Sequence, residues 1–206
     1  MITLPIALIT AFISSGGLIL GSVVGGIISW VISRYTTKKS ISQQILLQKE
    51  SLQYQEKNKT MEKYINANIV RLDISTAIYQ CIRSLQSNEK LVYLYSMPIY
   101  KDYHKVVASL CDKYSLRQLS NIYQIYGLLE KINKDIYLLN ERDVESMIHI
   151  RNKLWDLMKM VYGDNYTKVL NKNIDDISYT ELYNDPLMKV DYRNLLKSLD
   201  YICSKI

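Results

Sequence analysis

Charge is missing from the start of this sequence, and helix breakers are nearly missing from the rest. From Ile2 to Ser33 no side chain is charged, and past Val31 the only glycines and prolines are Gly127, Gly163, Pro98 and Pro186. So few turn formers exclude a many-turned β fold and favour helices. Cys81, Cys111 and Cys203 are odd in number, far apart and without a CxxC pair, which excludes a secreted disulfide framework. They read as reduced cysteines in a reducing compartment, each a small core residue among apolar neighbours. Histidine occurs only as His104 and His149. HExxH, metal-spaced Cys/His clusters, a Walker loop and GxSxG are all absent, so no metal or cofactor is expected. The tandem pair Asp175-Asp176 sits in a polar stretch and reads as capping or solvation, since one adjacent pair does not make a metal site.

What is present is unevenly spread. The formal charge is +6 over 206 residues. From Arg34 to Lys63 there are seven basic and three acidic residues, a net of +4, against nineteen and seventeen, a net of +2, from Tyr64 onward. The basic excess therefore borders the uncharged run, a location that fits a membrane surface. No Arg-rich stripe interleaved with aromatics appears, which argues against a nucleic-acid partner.

The uncharged run, ITLPIALITAFISSGGLILGSVVGGIISWVIS, exceeds the roughly 20 apolar residues that cross a hydrocarbon core. The spacing predicts a helix beginning near Pro5, because proline suits a first helical turn. Trp30 and Tyr35 fall where an interfacial aromatic belt belongs. Arg34, Lys38 and Lys39 follow at once, so the positive-inside rule places the N-terminus outside and the bulk of the chain in the cytoplasm, at the plasma or inner membrane. A cleaved signal peptide would carry a basic leading region and a shorter apolar run. A hairpin turning at Ser14-Ser15-Gly16-Gly17 would leave arms too short to span.

Within the run, Gly17, Gly21, Gly25 and Ser29, continued by Ser33, recur every fourth residue. Such a row lies along one helix face and lets a second backbone approach, which predicts self-association or pairing with another membrane helix. Glycine is also simply common in membrane helices.

From Thr36 to about Lys63 the chain is polar but unbroken. Ile45 and Leu52 are one heptad apart, Lys59 ends the series, and a coiled coil needs three or four heptads. The stretch reads as a solvated helical spacer, capped at Ser40 or continuous with the membrane helix. From Tyr64 apolar residues recur at three- and four-residue steps: Ile65, Ile69, Leu72, Ile74, Ile78, Ile82 and Leu85. That helix ends near Ser87. A connector leads to Pro98, a second helix spans about Ile99 to Lys113, and a third is capped by Ser115, with Gly127 marking a close helix crossing. A fourth runs from an Asn140 cap to Gly163, with Val144, Ile148, Leu154, Trp155, Met158 and Val161 inward. A loop with one helical turn near Tyr179 to Tyr183 precedes a last helix opened by Pro186, with Val190, Leu195, Leu196, Leu199 and Ile202 inward. The fold class is all-α: a transmembrane anchor over 1–33, a basic juxtamembrane stalk over 34–63, and an antiparallel bundle of four to five helices over 64–206.

One short pattern points elsewhere. Arg142 and His149 frame RDVESMIH, which resembles the R-x(4-6)-H signature of HEPN domains, helical bundles that often act as dimeric, metal-independent RNases. The resemblance implies that Arg142 and His149 would meet across a dimer interface to cut RNA. It covers eight residues and the general helical class, and a histidine near the buried face of its helix accounts for His149 as well.

The expectation is a non-enzymatic, single-pass module that binds, senses or scaffolds at the cytoplasmic face of a bilayer, with a cytosolic partner the sequence does not identify. The architecture is reminiscent of small single-pass proteins of phages and bacterial defence loci. An effector that oligomerises through its glycine face and perturbs the membrane is the alternative, and an RNase the third.

Overall fold

The computed structural model describes residues 5–87, 96–139 and 144–204. These residues form α-helices, two 3-10 turns and connectors, without a strand among them. The all-α class is therefore as expected. The chain divides into two compact units, Met1–Asn58 and Lys59–Ile206.

The first helix, α1, runs unbroken over Ile6–Gln86. No glycine or proline interrupts it after Gly26, so nothing in the sequence stops propagation once the first turn has formed. The backbone N–H of Leu8 donates to the Pro5 carbonyl at 2.8 Å, closing the first turn. Ser40 starts no new helix. In the first unit every large apolar side chain from Ile9 to Ile32 that is described is exposed.

In the second unit, α1 contributes one buried face: Ala67, Val70, Ile74, Ala77, Ile78, Cys81, Ile82 and Leu85. Ile65 and Leu72, expected inward, are exposed. The contact stripe runs through alanines instead, because small residues let neighbouring elements come near. The connector before α2 is pinned by side chains. The Asn133 amide donates to the Met97 carbonyl at 2.9 Å and accepts from the Met97 N–H at 2.6 Å. Asp73 accepts from the Tyr100 N–H at 2.8 Å and the Tyr126 hydroxyl at 3.0 Å. Burial, and then the Asp73 charge, push the Tyr126 phenol far above its ordinary range.

The second helix, α2, is Tyr103–Ala108, shorter than the expected span to Lys113, which continues in turns. Its Tyr103, Val106 and Val107 are buried, as is Leu110 beyond it. The third, α3, is Leu116–Leu138, opened by a capping box in which Ser115 accepts from the Gln118 N–H and Gln118 accepts from the Ser115 N–H. A Cβ added at Gly127 would meet nothing within 4 Å, so no helix crosses closely there. The fourth, α4, is Val144–Tyr162 and ends at Gly163, whose φ of 59° is the left-handed conformation glycine adopts cheaply. Its buried stripe is Ile150, Leu154, Leu157, Met158, Val161 and Tyr162, while Val144 and Ile148 are exposed. The expected Asn140 cap lies outside the described residues.

The helical turn expected near Tyr179 to Tyr183 is α6, Tyr179–Asn184, and the stretch before it holds a helix that was not expected, α5, Tyr166–Leu170. Helix α6 carries a second capping box, Ser178 with Glu181. The last helix, α7, is Val190–Cys203 and starts later than Pro186. The buried Asp185 carboxylate accepts from the Leu187 N–H at 2.9 Å and from Lys172 at 2.8 Å, which holds the proline in a turn first. Tyr192, Leu195, Leu196 and Leu199 are inward, while Val190 is exposed. Of the cysteines, Cys81 is buried, Cys203 partly so, and Cys111 is exposed, not the core residue expected.

Candidate functional site: the apolar segment and its basic border

The property that sets this chain apart is a helix with no polar face. Between Ile6 and Ser33 the large side chains point in all directions, from Phe12 and Ile13 to Val23, Val24, Ile27 and Ile28, and all of these are exposed. A helix apolar all round belongs in a core or a membrane. The apolar stretch of α1 is long enough to cross a membrane and 0% of it is buried within the chain, so it is no core helix.

Several hydroxyls along this stretch and just past it are bonded back to the helix. The hydroxyls of Thr10, Ser14, Ser15, Ser22 and Thr36 donate to carbonyls three or four residues back, at 2.8 to 3.2 Å. A hydroxyl left without a partner in hydrocarbon costs several kcal/mol, on the order of 4 or more, and these bonds remove that cost.

The row Gly17, Gly21, Gly25, Ser29 and Ser33 lies on this one continuous helix. A Cβ added at Gly17, Gly21 or Gly25 would meet nothing within 4 Å, and Gly163 is the described glycine with positive φ. The fold of the single chain thus gives no reason for these three to be glycine.

At the C-terminal border of the segment the expected surface residues fall on adjacent rows. Trp30, Arg34 and Lys38 are spaced i, i+4, i+8. The Arg34 guanidinium lies 5.2 Å from the centroid of the Trp30 ring. With Ser33, Thr37 and Ile41 they line a shallow depression of about 430 Å³. Tyr35 and Lys39 form the neighbouring row, with Tyr35 71% exposed.

In the second unit, His149 is not near the buried face: its side chain is 62% exposed. Its Nε2 lies 3.4 Å from Asp135 Oδ2, which also holds Lys153 Nζ at 2.5 Å. Asp135 and Lys153 were not singled out in the sequence. Lys153 follows His149 by one helical turn, but Asp135 comes from α3, and no spacing rule links it to them. Glu145 and Ser146 line the same depression. Arg142 lies outside the described residues, and no His/Cys/Asp/Glu group suited to a metal ion occurs among those described.

No family model matches the chain, and neither curated proteins nor solved structures yield a match.

Proposed function

We propose that this is a single-pass membrane protein whose apolar α1 segment anchors an all-helical unit at the cytoplasmic face, where that unit binds a partner or senses a state. The carrying observation is the uncharged stretch that is apolar on every side, with every described large apolar side chain along it exposed. In water this surface is expensive, at roughly 25 cal/mol per Å² of apolar area. In lipid it is the required surface. The hydroxyls bonded back to the helix support the same reading. The Trp30-Arg34-Lys38 row and its neighbours Tyr35 and Lys39 supply an aromatic and basic border, with each cation near anionic headgroups contributing about 1 kcal/mol. Orientation rests on Arg34, Lys38 and Lys39 following the segment. The test is flotation of the full-length protein with membranes, combined with protease digestion of sealed cells and spheroplasts. Recovery in the soluble fraction without detergent, or cleavage of the helical unit from outside, overturns it.

A second reading concerns the glycine row. Open space beside Gly17, Gly21 and Gly25 favours close packing of a second membrane helix, in a right-handed crossing of about −40°. On this reading the chain oligomerises and an assembled form perturbs the bilayer. Expression then depolarises cells, and Gly21→Leu abolishes both the oligomer on native gels and the depolarisation. Equal harm from the leucine variant removes the reading.

A further inference from the structure

We propose that the second unit carries a binding site for a phosphate ester with an apolar body, in the cavity between α1, the turns after α2, and the end of α7. The cavity has a volume of about 400 Å³, within the range of small-molecule sites. Its charged lining residues are Lys63 of α1 and Lys113 from the turns after α2, and no acid lines it. Lys63 is half-buried and bonded to Asp112, so its ammonium is held in place before any ligand arrives. The Lys63 hydrogen bond, and then Lys113, keep the Asp112 carboxyl below its ordinary value, so it is ionised. Two cations and this one anion leave an excess of one positive charge. The next acid along α7, Asp200, is taken up by Arg71.

The remaining wall suits an ester better than a bare ion. Thr60 and Ser198 complete the polar side of the wall. Ile202 and the rings of Tyr64 and Tyr201 supply an apolar side, with Tyr201 60% exposed. Inorganic phosphate would leave that side bare. Lysines, as point charges, suit phosphate without the bidentate geometry of arginine. The cavity lies wholly within Lys59–Ile206, so it stands independently of the membrane reading.

The phosphate ester could be soluble or a lipid headgroup, and the probes separate the two. Full-length protein in dodecylmaltoside micelles is titrated calorimetrically with phenyl phosphate, dihexanoyl phosphatidic acid and inorganic phosphate. Saturable binding of phenyl phosphate assigns a soluble ester. Binding of phosphatidic acid alone assigns a headgroup. In either case Lys113→Gln weakens binding about tenfold, the loss of one charge-assisted hydrogen bond, and Lys113→Arg restores it. Lys113 is exposed, so these variants keep the fold, as their thermal unfolding will show. Tyr201→Ala weakens the esters about fivefold and leaves inorganic phosphate unchanged. Absence of saturable binding by both esters overturns the proposal, as does binding indifferent to Lys113→Gln in a variant of unchanged unfolding temperature.

Discussion

Arginines placed at the centre of the apolar segment should expel it from the bilayer in a graded way. From Phe12 to Val31 the sequence holds ten Leu, Ile, Val and Phe side chains. At about 0.3–0.6 kcal/mol each, they favour insertion by about 3–6 kcal/mol. One central arginine costs about 2.5–3.5 kcal/mol, and the leucine it replaces is also lost. Leu20→Arg therefore brings the segment near balance, and Leu20→Arg with Val24→Arg exceeds the available driving force. The assay is alkaline carbonate extraction followed by flotation, which separates inserted protein from aggregate. Wild type floats, the single variant divides between fractions, and the double variant stays in the aqueous layer. Two arginines at Ser51 and Gln53, in the exposed polar stretch, change nothing. A double variant that floats as well as wild type refutes the reasoning, because the segment would then be held by something other than its apolar surface.

Two glycines of the second unit should respond in opposite directions to alanine. Gly127→Ala adds a side chain into open space within a helix and should stabilise by about 0.5–1 kcal/mol, whereas Gly163→Ala meets φ 59° and a Lys189 Cε 2.8 Å away and should destabilise, both read by urea unfolding. Leu154→Ala, at a fully buried position on α4, should cost about 2–5 kcal/mol in the same measurement. The Asp112 carboxyl is held below its unfolded value by Lys63, so its stabilisation is complete above about pH 5 and is lost as pH falls through about 3.9 and lower. The gap in unfolding temperature between wild type and Asp112→Asn should accordingly narrow in acid, and a constant gap contradicts the pairing. Among the cysteines, Cys111 should react with maleimide first, while Cys81, buried and with its thiol pushed up by burial, should wait for unfolding.

Legibility in the sequence followed the range of the interactions. Local signals were read well: the start near Pro5, the Ser115 cap and the stop at Gly163 each depend on a few neighbouring residues. The Ser178-Glu181 capping box is equally local, and the helical turn expected near Tyr179 to Tyr183 is α6. Inward faces were read less well. Ile65, Leu72, Val144 and Ile148 have the right spacing, yet all are exposed, because periodicity defines a stripe without saying which elements arrive to cover it. The border residues Trp30, Arg34 and Lys38 were legible because i, i+4 spacing alone brings them together. The carboxylate beside His149 was not, since Asp135 reaches it from another helix.

By itself the sequence determined the helical class and the uncharged, everywhere-apolar segment with its cationic border. Both are properties of composition and short spacing, set by backbone sterics and solvent transfer before any tertiary contact forms. Only the tertiary structure decided which side chains of Lys59–Ile206 are buried, that Lys63 meets Asp112, and that Lys113 and Tyr201 share a cavity. Those outcomes depend on residues distant in sequence, whose meeting is fixed by packing of the whole unit and by no local preference.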